Sequence, residues 1–246
     1  MISFSAVADA EDRSHFLGLS YVYWREYQPD GTTYLWEDGV RGTGGIELRW
    51  PASSFGHLVY SGSLYGSLTW HRTNDPTHIA VPSGHESTPG GQIGTKQELS
   101  LIANGLFGHA GLQPYVTVAA DIWYRPLDYY EIWQVPSVQA GLRVEDSFCQ
   151  GCRLDVGIVR TIGARNLMQT SHSPWNGESD TNFRLGDNFT PSVTLQFPRA
   201  DGSAVRFHLE GYRFGRSDVY PLSGGGGVFQ PRTTTYIVGV TWLCPY

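Results

Sequence analysis

The chain has 246 residues and a formal net charge of −6, with 16% charged residues, 13% aromatics and 30 glycines. The acidic balance argues against nucleic acid as a partner, and no apolar run reaches the roughly 18 residues of a transmembrane helix. Few charges beside many Trp and Tyr suit a β-rich chain whose surface largely faces something other than water.

The first residues read as the tail of a secretory leader. Ser5 to Ala10 ends in a small-x-small site at Ala8 and Ala10, followed by Glu11 and Asp12. Residues 1–10 are therefore expected to be a residual signal peptide, and 11–246 one domain.

No segment carries a convincing 3.6-residue period, whereas about ten carry a period of two. Strand 1 is expected over 16–26, with Leu17, Leu19, Tyr21 and Tyr23 on the apolar side and Gly18, Ser20 and Val22 on the other. Strand 2 (43–50) sets Ile46, Leu48 and Trp50 against Glu47 and Arg49. Strand 3 (57–71) sets Leu58, Tyr60, Leu64, Leu68 and Trp70 against Ser61, Ser63, Tyr65, Ser67 and Thr69. Strands 4 (95–107), 5 (113–125), 6 (132–145), 7 (152–163), 8 (190–198) and 9 (203–214) repeat the alternation, the last two joined by a tight turn at Ala200-Asp201-Gly202.

Strand 10 fills 233–246. Tyr236, Val238, Val240 and Trp242 share one face, and the small or polar Thr235, Gly239 and Thr241 share the other with Ile237. Apolar groups outward, small polar groups inward and rings at both ends are what a transmembrane strand needs. The expected connections alternate in length. Those after strands 2, 4, 6 and 8 are short; those at 24–42, 72–94, 164–189 and 215–232 are long, with 126–131 the exception. Short turns on one rim and long loops on the other complete the reading: an all-β, antiparallel, up-and-down transmembrane barrel of about ten strands. A soluble sandwich that binds carbohydrate is the alternative outside the membrane, with its apolar residues facing inward.

One register places ten charges on the inward side: Glu47, Arg49, Glu98, Asp121, Arg143, Glu145, Arg153, Asp155, Arg206 and Glu210. Inside a narrow barrel these are expected to pair across the lumen as a plug-like network.

With the terminal strand, this layout, and Trp36-Glu37-Asp38-Gly39 leading to Gly42-Thr43-Gly44-Gly45, the chain resembles small bacterial outer-membrane β-barrel proteins of the porin-like and opacity-like kinds. The resemblance implies location in a bacterial outer membrane, contact with its lipid, and a terminal signal read by the barrel-assembly machinery through Tyr236, Gly239, Trp242 and the final Tyr246. It leaves another cell-envelope protein as a partner for the long loops, and implies no cofactor.

Two local motifs bear on chemistry. His85 and Ser87, in Gly84-His85-Glu86-Ser87, resemble the His-x-Ser of outer-membrane phospholipase A and the lipid A deacylases, which implies a hydroxyl nucleophile, an imidazole base and an orienter at Gln97 or Glu98. Thr88 stands where the phospholipases usually carry Asn, and Pro89-Gly90-Gly91 argues against an extended strand there, so an ordinary loop is the preferred reading. Cys149 and Cys152 could be a redox pair, half a zinc site or a turn disulfide. No second pair is present for zinc and no thioredoxin-like context surrounds them, so the disulfide is preferred, with Cys244 free. His71, His78, His85 and His172 fall near the outer rim, but their spacing does not indicate a metal site. The expected function is non-enzymatic: structural, anchoring or narrow-channel.

Overall fold

The computed structural model describes residues 12–53, 55–73, 88–105, 111–126, 130–146, 148–168, 181–221 and 227–246. The described residues form strands and turns without a helix: β1 Asp12–Tyr27, β2 Thr33–Ser53, β3 Gly56–Thr73, β4 Thr88–Ala103, β5 Leu112–Pro126, β6 Tyr130–Glu145, β7 Arg153–Thr161, β8 Arg165–Met168, β9 Thr181–Arg184, β10 Phe189–Pro198, β11 Ala204–Phe214, β12 Tyr220–Pro221, β13 Gly227–Val228 and β14 Arg232–Pro245.

The antiparallel ladder runs β1-β2-β3-β4-β5-β6-β7-β10-β11-β14 and closes on β1. Leu19 pairs with Gly42 on one side and Val240 on the other, so the first and last strands leave no edge. β8 continues the β7 stave along the upper part of β6, and β9 pairs with β8 before the chain re-enters the wall as β10. The barrel therefore has ten staves, two of them interrupted.

The period-two pattern becomes two faces. Leu17, Leu64 and Leu68 are about 70% exposed on the outside, whereas Val22, Thr69 and Asp121 inside are at most 1% exposed. In water such an outer belt would be an aggregation surface. In a bilayer it is the lipid-facing surface of a barrel closed by backbone pairing between neighbouring strands. Trp70 and Tyr124 stand toward one end of the belt. Phe197, Phe207 and Trp242 stand toward the end that carries the termini, where Ser14 pairs with Pro245.

Within the strands the inward and outward assignments made from the sequence have the observed parity, but several boundaries move, and Asn104, expected inward on strand 4, is exposed in the turn after β4. Residues 24–42 are not a long loop: β1 and β2 run to a five-residue turn at 28–32, where Asp30 Oδ1 accepts from Thr32 N at 2.9 Å and Oγ1 at 2.7 Å. These bonds hold the Asp30 carboxyl below its usual range. Trp36 to Gly39 are therefore wall residues. Strand 4 begins at Thr88, so Pro89-Gly90-Gly91 is extended after all. Its ladder with β3 tolerates these residues, and Gly90 lacks the Cβ that would collide with the His71 ring. The segment 164–189 contains β8 and β9, and 215–232 contains the small β12–β13 pair. Residues 1–10, 78, 85, 87, 107 and 172 lie outside the described residues.

On the rim with the termini, the 199–203 turn is held by Asp201 Oδ1, which accepts from Ser203 N at 3.0 Å and Oγ at 2.6 Å. The 146–152 turn is closed by the Cys149–Cys152 disulfide, with Asp146 and Gly151 at positive φ and Asp146 N donating to Cys152 O at 3.0 Å; Cys244 is free.

Two neighbouring substitutions test the two faces. Leu64→Arg puts a charge into lipid and is expected to cost about 2–4 kcal/mol near the midplane. Ser63→Arg, one position away, enters a polar cavity beside Lys96 and Glu98 and costs much less. Unfolding titrations in lipid measure both, and similar losses would contradict the register. Non-reducing peptide mapping checks the turn: a 149–152 link with Cys244 free is expected, and any link to Cys244 contradicts it.

Candidate functional site: a layered lumen

The inward side chains form layers. Toward the rim with the termini, β11 brings Arg206 to Glu47 of β2, with Nη2 at 3.0 Å from Oε2, and both Nε and Nη2 also donate to Gln196 Oε1. Arg143 grips Asp155 with two bonds, Nε to Oδ1 at 2.8 Å and Nη2 to Oδ2 at 3.1 Å. Arg153 Nε lies 3.3 Å from Asp155 Oδ2, too poorly aligned for a hydrogen bond. Glu145 accepts from Gln113 Nε2 at 3.3 Å rather than pairing with an arginine. The Arg49 side chain makes no hydrogen bond or ion pair among the described residues, and its Nε is buried.

The middle layer centres on Lys96. Its Nζ lies 2.6 Å from Glu210 and 3.1 Å from Glu98, tying β4 to β11 across the lumen. Asp121 accepts from Tyr65 Oη at 2.6 Å and Tyr212 Oη at 3.1 Å, and the Arg41 guanidinium lies 3.8 Å over the Tyr65 ring. Lys96 was absent from the charges read out of the sequence, although it shares parity with Glu98; a count of inward lysines would have found it.

Above lies an aromatic plug. Trp24 meets Trp133 edge-on at 5.0 Å, Trp123 stacks on Trp133 at 5.6 Å, and Phe214 and Tyr212 extend the cluster. These separations are in the favourable range for ring pairs. Trp24, Trp123, Trp133 and Phe214 are 0–3% exposed, which leaves no room for water between them.

A buried ionic cluster caps the rings. Arg125 from β5 reaches Glu37 at 2.6 Å, Glu131 at 3.0 Å and Glu26 at 3.5 Å, and lies within 3.4 Å of His71 Nδ1. The carboxylates have further donors. Trp24 Nε1 donates to Glu26 at 2.9 Å, Trp133 Nε1 to Glu131 at 2.8 Å, and Thr69 Oγ1 to Glu37 at 2.6 Å. The two indoles thus serve both layers. Sequence reading missed this cluster, because Glu37 fell in an expected loop, and Glu26 and Glu131 at or beyond expected strand ends.

The hydrolase reading loses its orienters. Glu98 is held by Lys96, ten positions along β4 from Thr88, or about 33 Å at strand rise. Gln97 faces outward and is bonded to Tyr60 Oη. His85 and Ser87 themselves are outside the described residues. Ser20 Oγ and His208 Nε2 do meet in the lumen at 3.4 Å, but Glu210, the nearby carboxylate of β11, is engaged by Lys96. Both side chains pack over Gly239, where a Cβ would lie 2.8 Å from His208 Cε1; this gives the glycine of the terminal-strand pattern a packing reason. Tyr236 and Trp242 of that pattern face outward, and Tyr246 is exposed past the end of β14.

No family model matches the chain, and no curated relative matches it in sequence. Among solved structures it is similar to the outer membrane protease OmpT from Escherichia coli, at 8% identity and TM-score 0.49, covering 100% of this chain and 99% of that one. It is also similar to an outer-membrane channel from Pseudomonas putida F1 (12%, TM-score 0.42, 95% of each chain) and to a FadL homologue from Pseudomonas aeruginosa (11%, TM-score 0.25, 95% and 90%). At these identities nothing about activity transfers. The chain's own closed ladder, apolar exterior and polar interior make the fold that of an outer-membrane β-barrel.

The buried cluster has a measurable weight. Arg125→Ala strands three carboxylates without their cation and is expected to destabilise the barrel by about 3–5 kcal/mol. Arg232→Ala, at the outer rim with its guanidinium 4.7 Å over Tyr27, is expected to cost under about 1 kcal/mol. Denaturant unfolding of the reconstituted barrel compares them, and equal losses would mean that the Arg125 cluster is hydrated.

Proposed function

We propose that this protein is a non-enzymatic barrel of the bacterial outer membrane with a sealed lumen, acting as an anchored scaffold rather than as a solute channel. The observation that carries the reading is the dry double layer of Trp24, Trp123, Trp133 and Phe214 under Arg125, Glu37 and Glu131, each at most 3% exposed. A conducting pore of this width would need a continuous wet path, and ions would have to displace tightly packed rings and bonded charges.

In this reading the belt of Leu17, Leu64, Val118 and Val238 contacts lipid, and the rim opposite the termini offers the surface for a cell-envelope partner. Tyr236, Gly239, Trp242 and Tyr246 serve as the signal for the barrel-assembly machinery. Non-enzymatic action is supported by the engagement of Glu98 and Glu210 with Lys96, which leaves neither free to orient a histidine.

Planar-bilayer recording tests the seal. The purified barrel is expected to show no stable conductance steps, and a Trp24→Ala/Trp133→Ala variant to show them. Large steady steps in the unaltered protein would overturn the scaffold reading in favour of a channel.

A further inference from the structure

The layer beside the rim with the termini is basic, unlike the layers above it. A cavity of about 140 Å³ is lined by Arg49, Arg143, Arg153 and Arg206 against Glu47 and Asp155. Its third carboxylate, Glu98, is committed to Lys96. Glu47 is taken by Arg206, and Asp155 is shared by Arg143 and Arg153. The fourth cation, Arg49, has no partner among the described residues; its Nε and that of Arg153 are buried without a hydrogen bond. Glu145, the other carboxylate at this end, is bonded by Gln113 and does not line the cavity.

Arg49 is half-buried, and a guanidinium nitrogen buried without an acceptor, as its Nε is, is costly. Its forked donors match an oxyanion better than they match water. The cavity has room for one, since a water molecule occupies about 30 Å³ of liquid. Net positive charge in a low-dielectric cleft also concentrates anions there.

From this geometry we infer that the terminus-side half of the lumen binds a small oxyanion, of the phosphate or carboxylate class, with Arg49 and Arg153 as its principal donors and Arg143 and Arg206 as the flanking pair. The site lies below the aromatic plug and is reached from the rim that carries the termini. It does not depend on whether the plug seals the barrel, so a conducting barrel would leave it intact.

Inorganic phosphate is the probe. Calorimetric titration of the refolded barrel in phosphate-free buffer is expected to show saturable binding, weakened at least about tenfold (about 1.4 kcal/mol) by Arg49→Gln and unchanged by Arg232→Gln. Folding of each variant is checked by heat-modifiable gel mobility. A second measurement needs no variant: phosphate, unlike chloride, is expected to slow modification of Arg49 by a dicarbonyl reagent, as mapped by mass spectrometry. Absence of saturable binding up to about 10 mM, well above the 1 mM that corresponds to about −4 kcal/mol, would overturn the proposal. So would equal weakening by Arg232→Gln, or an Arg49 modification rate indifferent to phosphate.

Discussion

A closed sheet in a membrane has one governing constraint: its inside must accept whatever its outside cannot. Pairing of β1 with β14 closes the wall, so neither the first nor the last strand presents a free edge to lipid. Period-two alternation then sends every second side chain into a narrow tube. Ten staves leave space for side chains and little else, so the inward residues must satisfy one another. Lys96 between Glu98 and Glu210, Arg143 with Asp155, and Arg206 with Glu47 are the outcome.

The lumen is graded along its axis. At the end away from the termini, one arginine faces three carboxylates, and the deficit of cations is met by indole and hydroxyl donors. In the middle, Tyr65 and Tyr212 hydroxyls serve Asp121. At the end with the termini, arginines outnumber the carboxylates free to meet them. The aromatic layer separates the first region from the other two. It is tied to the ionic cap because Trp24 and Trp133 pack in one layer and donate to the other, so rings and charges are expected to loosen together.

Much of this was legible from alternation alone. Strand parity is a local property, and it survives in every stave because a one-residue slip would turn the lipid face inward. The inward charges from Glu47 to Glu210 were legible for the same reason. Partner choice was not, because it depends on which staves face each other across the tube. Glu145 meets Gln113 instead of an arginine, and Arg49 meets no described partner. The strand ends were poorly legible where glycines and charges mimic a loop, as at Trp36-Glu37-Asp38-Gly39 and Pro89-Gly90-Gly91. In both places the ladder with a neighbouring strand overrides local propensity. That misreading hid Glu37, and with it the buried cap around Arg125.

The central claim is that a dry layer of rings and charges divides the lumen. Sidedness of access tests it most directly. In a Cys244→Ser background, Ser63→Cys places a thiol in the cavity below the rings, while the Cys149–Cys152 disulfide stays unreactive. In oriented proteoliposomes, a membrane-impermeant thiol reagent is expected to label position 63 from the side of the termini and not from the loop side. Comparable labelling from the loop side would show a continuous water path past Trp24 and Trp133 and would contradict the account.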